Sequence, residues 1–313
     1  MTSVFRRNLK LMGNQFGFAV VAGDESWAQS RIGDAIAEVQ RIEKLLTTYS
    51  DLSQTALINE NAGVEPVKVD REVYDLIERS LRISKLTQGA FDITYGSIDK
   101  RLWNFDKNMT SLPDAETAKR MVRLINFRNV ILDRQNQTVF LKEKGMRIGF
   151  GGIGKGYAAE CAKNAMKKAG VESAFVNAAG DLTVWGKQPN GKKWTIGIAD
   201  PSRRDFPFGS LELTDMSVAT SGNYEKYVTI GGIKYSHTID PKTGYPVRGI
   251  KSVTIICSSA EISDAMATPV MVMGIKAGIN LIDQIKGIAC IVIDDNDKVY
   301  TSKNIKLISD HEN

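Results

Sequence analysis

Cysteine, histidine and long apolar runs are scarce in this 313-residue chain, and each scarcity removes a class of function. The three cysteines, Cys161, Cys257 and Cys290, lie far apart in apolar stretches without C-x-x-C spacing. They read as buried free thiols, not as a disulfide framework or a redox pair. The only histidines are His237 and His311, too few beside those cysteines to build a Cys/His zinc site. No run approaches the ~18 apolar residues of a membrane span. The stretch from Met1 to Gly17 carries Arg6, Arg7 and Lys10 but no apolar core of a signal peptide and no lipid-attachment cysteine. As written the chain is expected to be soluble and cytoplasmic; one stripped of an export signal would look the same, which leaves a periplasmic or membrane-anchored home open. Charge imbalance is small as well: 41 Lys+Arg against 36 Asp+Glu, a formal +5 spread along the chain. Without a basic block interleaved with aromatics, a nucleic-acid partner is not indicated. The mild positive balance suits an anionic ligand.

What is present is ordinary globular material, 42% hydrophobic and 25% charged, with neither repeats nor low-complexity linkers. A single domain over residues 1–313 is expected. Phe16, Phe18 and Val20 alternate as in a strand. Ile32, Ile36, Val39, Ile42 and Leu46 recur at helical spacing, predicting an amphipathic helix over Ser26–Leu46. Tyr49–Asn61 reads as polar loop with about one helical turn. Asp70 can cap a helix that stops near Gly89, and Pro113 fits the first turn of another through Arg123. Val130–Leu132 and Val139–Leu141 read as a hairpin, as do Ala289–Ile293 and Lys298–Thr301. Between Ser173 and Ile256 short strands dominate, with turn signals at Asn190-Gly191 and Gly231-Gly232. Ser259–Met273 and Lys276–Ile285 read as helices. Helices and hairpins mixed without β-α-β alternation predict an α+β fold.

Four segments carry candidate chemistry. Arg147–Tyr157 contains Gly149-x-Gly151-x-x-Gly154, formally a dinucleotide fingerprint, and Gly149-x-x-x-x-Gly154-Lys155, nearly a P-loop. Gly156 stands where the P-loop has its Ser or Thr, and hairpins follow where a Rossmann unit would continue into parallel strands. Shared physics remains: glycines admit close backbone approach, and a helix N-terminus offers N–H groups to phosphate. A tight strand-to-helix turn is the bland alternative. Ser221-Gly-Asn-Tyr224 and Tyr235-Ser-His237-Thr-Ile239-Asp240-Pro-Lys-Thr-Gly244 form a hydroxyl-rich pair of segments around the one histidine outside the tail, which serves either a site or the local fold. Asp264 and Thr268 share one helix face at i and i+4 among apolar neighbours; both are hard oxygens suited to Mg2+, and a buried carboxylate needs a partner. Thr87-Gln-Gly-Ala-Phe-Asp92-Ile-Thr94 places an acid and a hydroxyl after a helix end.

In order along the chain, Leu11-Met12-Gly13, Tyr49-Ser50, Gly89-Ala-Phe-Asp92-Ile-Thr94, Gly151-Gly-Ile-Gly-Lys-Gly-Tyr157, Asn177-x-x-Gly180-Asp181, Ala219-Thr-Ser-Gly222, His237-x-Ile-Asp-Pro-x-Thr-Gly244 and Asp264-Ala-x-Ala-Thr268 resemble the ApbE family of FAD:protein FMN transferases. The resemblance implies an α+β, T-fold-related architecture of mixed and antiparallel sheets flanked by helices, with FAD in a cleft between lobes and Mg2+ near its pyrophosphate. By position it assigns Met12, Ser50, Asp92, Lys155, Ser221, His237 and Ile239 to the flavin nucleotide. It assigns Gly152 (through its carbonyl), Asp264 and Thr268 to the metal, and His237 to catalysis. The family commonly has Asp-Leu where this chain has Gly149-Phe150, and Ala at Gly154. The implied reaction moves FMN from FAD onto a Thr or Ser hydroxyl of a transiently bound acceptor flavoprotein subunit and releases AMP. A Mg2+-dependent FAD pyrophosphatase, or a non-catalytic FAD-binding protein, are the alternatives.

Overall fold

The computed structural model describes residues 2–102, 110–199, 207–223, 227–303 and 305; Tyr224 and His311 lie outside the described residues. The chain opens with a strand that periodicity does not reveal. Strand β1 (Ser3–Leu11) pairs antiparallel with β2 (Asn14–Ala22) in unbroken register from Ser3↔Ala22 to Leu11↔Asn14. Phe5 and Leu9 of β1 pack on the core, but Arg7 on the same face interrupts the apolar pattern and donates to Gln29 Oε1 at 2.8 Å. The two-residue turn places Met12 and Gly13 at φ 50° and 73°, the paired left-handed conformation of a type I′ hairpin.

Three strands, β3 (Val67–Lys68), β4 (Val130–Asp133) and β5 (Thr138–Leu141), form a small sheet with β5 central. The remaining strands are β6 (Ala174–Ala178), β7 (Asp181–Trp185), β8 (Trp194–Ala199), β9 (Pro207–Leu213), β10 (Met216–Gly222), β11 (Tyr227–Ile230), β12 (Ile233–Ser236), β13 (Ile250–Cys257), β14 (Ile288–Asp294) and β15 (Val299–Thr301). The main sheet has eight strands in the order β1-β2-β6-β7-β10-β13-β14-β15, every neighbour antiparallel. β8–β9 and β11–β12 are separate hairpins, the latter closed by Gly231-Gly232, both at positive φ, as the sequence predicts.

Helix α1 (Glu25–Leu46) buries the predicted stripe, and the Asp24 side chain caps it by accepting the Trp27 N–H. Helix α2 (Gln54–Glu60) occupies most of the stretch expected to be loop, its Ser53 cap accepting the Ala56 N–H. In α3 (Arg71–Leu86) Asp70 stands at the N-cap, but its carboxylate accepts from Gln54 Nε2 and makes no cap bond. Helix α4 (Ala115–Met121) starts later than Pro113 suggests because Asp114 is the cap, accepting the Glu116 and Thr117 N–H groups. Then come α5 (Gly154–Lys168), α6 (Ala260–Met273) and α7 (Ile275–Asp283). Among the described residues, no helix is long and apolar enough to cross a membrane.

Helices α1, α5 and α6 lie side by side over one face of the main sheet. Phe16, Phe18 and Val20 of β2 meet Ile32 and Val39 of α1 there, and Val253 and Ile255 of β13 meet Ala265 and Val270 of α6. On the other face Ile198 and Leu211 of the β8–β9 hairpin pack on Val218, Ile256 and Ile291. β13 therefore reads as nearly continuous apolar sequence because both of its faces are covered. The cysteines are free as expected, Cys161 half-buried and the other two buried; burial pushes the Cys257 and Cys290 thiols up to about 11.

Candidate active site

The glycine cluster enters α5, whose first turn carries Lys155. Among the described residues, none of Gly149, Gly151, Gly152, Gly154 and Gly156 has a left-handed φ. Gly156 is glycine because α5 and α6 cross there: a Cβ would stand 2.2 Å from Ala260 O and 2.6 Å from Asp264 Cβ. This corrects the sequence reading, which assigned the whole cluster to ligand approach or a tight turn. Gly149 and Gly151, by contrast, face open space.

The close crossing brings Asp264 against the start of α5. Asp264 Oδ2 accepts the Gly156 N–H at 2.8 Å, and Oδ1 lies 3.2 Å from Lys155 Nζ. Lys155 Nζ also pairs with Asp181 Oδ2, while Asp181 Oδ1 accepts the Thr220 N–H at 3.3 Å. Both carboxylates are buried, so each needs compensation. Burial first, then the like charge of Asp264, pushes Asp181 up to about 6 against the opposing pull of Lys155. Burial works against the Lys155 charge too, but the two carboxylates outweigh it and hold its pKa above the ordinary ammonium range. The sequence motif ending in Asp181 is visible beforehand, yet no role for Asp181 follows from it. The hairpin tip supplies the signal: Ala179 and Gly180 sit at φ 57° and 98°, and Asn177 Oδ1 accepts the Gly180 N–H at 2.7 Å, which fixes Asp181 as the first residue of β7.

One helical turn beyond Asp264, Thr268 Oγ1 lies 3.0 Å from Ser221 Oγ at the end of β10. Gly152, Lys155, Asp181, Ser221, Asp264 and Thr268 all line one cleft of about 760 Å³, and His237 lines it as well. It extends over the outer sheet face past Asn177 and Phe175 to Trp194. The Asp264 carboxylate, the Thr268 hydroxyl and the Gly152 carbonyl are hard oxygens, and a cation, the Lys155 ammonium, already rests on Asp264; this donor set fits Mg2+.

His237 is exposed on the segment after β12. The neighbouring acid and hydroxyls build the turn: Asp240 accepts the Lys242 N–H at 2.9 Å and the Thr243 hydroxyl at 3.1 Å. Ile239 does not face the cleft; its side chain is buried against Met121 and Val122, and its N–H donates to Tyr95 Oη at 3.1 Å. Any ligand contact by Ile239 is therefore a main-chain one. Met12, Ser50 and Asp92 also lie outside the cleft's lining. Met12 packs beside Gly154, and Ser50 sits in the loop between α1 and α2, its carbonyl accepting the Ser53 N–H. Asp92 caps the short 3-10 turn Ile93–Ser97, accepting from the Thr94 N–H, the Thr94 hydroxyl and the Phe127 N–H at 2.8, 2.6 and 2.9 Å. It lines a second recess, of about 600 Å³, with Phe127, Arg128 and Lys242.

Elsewhere, Glu38, Glu72 and Cys161 place ligand-type atoms within 4.8 Å of one another. There the Arg41 guanidinium already pairs with both carboxylates, at 2.8 and 2.6 Å.

A half-buried lysine at a helix start, between two buried carboxylates and beside an eight-stranded antiparallel sheet, makes this an α+β protein with a charged, oxygen-lined cleft. The sequence model of the ApbE family matches residues 12–292, and the chain belongs to that family. A protein of Klebsiella pneumoniae (strain 342) named FAD:protein FMN transferase is 32% identical, over 97% of this chain and 93% of its own length. One of that name from Treponema pallidum (strain Nichols) is 31% identical, over 85% and 78%. The crystal structure of the ApbE protein of Thermotoga maritima superposes with a TM-score of 0.85 at 29% identity, covering 96% of this chain and 97% of that one. The apo flavinyl transferase ApbE of Pseudomonas stutzeri superposes at 0.82 and 27%, covering 96% and 94%.

Proposed function

We propose that this chain transfers FMN from FAD to a Thr or Ser hydroxyl of an acceptor flavoprotein, releasing AMP, with Mg2+ bound by Asp264, Thr268 and the Gly152 carbonyl. The supporting observation is the convergence of Lys155, Asp264, Thr268 and His237 on one cleft, in a chain whose relatives carry the name of that activity along nearly its whole length. The acceptor oxygen attacks the FMN-side phosphorus, the bond to the AMP oxygen breaks, and the hydroxyl proton leaves with a base or water. The bound Mg2+ would neutralise charge on the pyrophosphate. Such transfer asks mainly for positioning and charge. Lys155 and the positive dipole end of α5 offset negative charge on the phosphates. Ser221, hydrogen-bonded to Thr268, orients that hydroxyl toward the cleft. Met12, Ser50, Asp92 and the Ile239 backbone hold the rest of the nucleotide in this reading.

Incubation with FAD, Mg2+ and candidate acceptor subunits, followed by intact-mass analysis, tests this. Acceptor gaining the mass of FMN supports it; FMN and AMP formed equally with and without acceptor make the chain a pyrophosphatase, and FAD left whole makes it a binding protein. His237 is proposed as the base that takes the hydroxyl proton. His237→Asn is then expected to lower the rate roughly 10²–10⁴-fold with FAD still bound, and to remove one limb of the pH–rate profile. Wild-type turnover at every pH would take His237 out of the mechanism.

A further inference from the structure

Lys155 touches two buried carboxylates, one of which, Asp264, belongs to the proposed metal site. A divalent cation arriving at Asp264 meets an ammonium already there, and only one of them can hold that oxygen. If Asp264 were the lysine's sole anchor, metal binding would leave a half-buried ammonium unpaired. Asp181 removes that conflict. It sits on a different element, at the start of β7, with its second oxygen tied to the Thr220 N–H. The hairpin tip behind it is fixed by Asn177. Asp181 can therefore keep the lysine without following Asp264.

We propose that Asp181 is a positioning residue, which retains Lys155 at the cleft when a divalent cation displaces the ammonium from Asp264. In the metal-free protein Lys155 stands in for the cation; in the loaded protein Asp181 holds Lys155 alone, directed at the phosphates. The local charge matches this exchange. Two carboxylates and one ammonium leave one negative charge, and a divalent ion turns it into one positive charge facing an anionic substrate. The proposal rests on the metal site of the transferase reading.

Mn2+ binding to the metal-free protein without FAD, followed by calorimetry and by the Mn2+ EPR signal, tests it apart from activity. In D181N, Lys155 keeps Asp264 as its one anionic partner and competes for it, so Mn2+ affinity is expected to fall about tenfold; adding Lys155→Met should restore it to within about threefold of wild type. Asp181→Glu, which keeps a carboxylate, should retain most of the affinity, and K155M alone should bind at least as tightly as wild type. D181N binding like wild type, a double variant no better than D181N, or a weakened K155M each overturns the proposal, the last even if D181N does not fold. Failure of wild type to bind Mn2+ overturns the metal site along with it, whereas a failed rescue beside normal transfer overturns the Asp181 role alone.

Discussion

Asp264→Ala is expected to lose transfer by roughly a thousandfold or more, about 4 kcal/mol of transition-state stabilisation, while much of the FAD affinity remains. The carboxylate serves three partners: the proposed cation, Lys155 Nζ at 3.2 Å and the Gly156 N–H at 2.8 Å. Alanine removes all three and strands a buried N–H, which by itself costs about 1–3 kcal/mol of stability. Asp264→Asn separates these effects. Its amide oxygen still accepts the Gly156 N–H, so the fold should hold, but the neutral group is a poor substitute for a carboxylate at a divalent ion. Asparagine should therefore match alanine in lost transfer while melting close to wild type. Thr268→Ala should be milder, because a water can replace a neutral hydroxyl ligand. Steady-state transfer, FAD calorimetry and thermal melts of the three variants check this. An Asp264→Asn enzyme with normal turnover would refute the metal assignment.

Gly156→Ala is the substitution expected to damage the fold most for its size. A methyl group there meets a backbone carbonyl at 2.2 Å and the Asp264 Cβ at 2.6 Å, so α5 and α6 must separate. Neither neighbour is the free end of a flexible side chain. Overpacking of this kind costs about 3 kcal/mol or more. The displacement also carries Asp264 away from Lys155, so transfer and Mn2+ affinity should fall with stability. Gly151→Ala is the control: its Cβ meets nothing within 4 Å, so its stability should stay within about 0.5 kcal/mol of wild type. Chemical denaturation of both variants measures the difference. Equal stabilities would mean that the helices can part without cost and that Gly156 is not required by packing.

The same glycines show how far a linear reading reaches. The Arg147–Tyr157 segment is recognisable as the entrance to a helix, and α5 runs from Gly154 to Lys168. Which glycine serves a ligand and which serves a neighbouring helix is invisible there, because the clashing partner, Ala260, is a hundred residues downstream. Strand β1 escapes detection for a related reason. Arg7 breaks the apolar alternation of Phe5 and Leu9, and its exposed guanidinium reaches the α1 residue Gln29. Asp240 and Thr243 look like site chemistry in sequence, yet they hydrogen-bond within their own turn. Ile239 sits in a segment that resembles a binding motif, but its side chain is buried in the core beside α4 with Met121 and Val122.

Amphipathic periods, caps and turn residues by themselves determined the helices α1, α3, α5 and α6, the hairpins β4–β5 and β14–β15, and the α+β class, since these signals act over a few neighbouring residues. The ordered motifs were enough to place the chain in its family and to nominate Lys155, Asp264, Thr268 and His237. Only the tertiary structure decided that β6 and β7 insert between β2 and β10, which sets Asp181 against Lys155 and makes one partly buried ion cluster from α5, α6 and β7. Pairings across such sequence distances follow from which faces can be buried together, and a carboxylate's partner is determined by that burial, not by its neighbours in the chain.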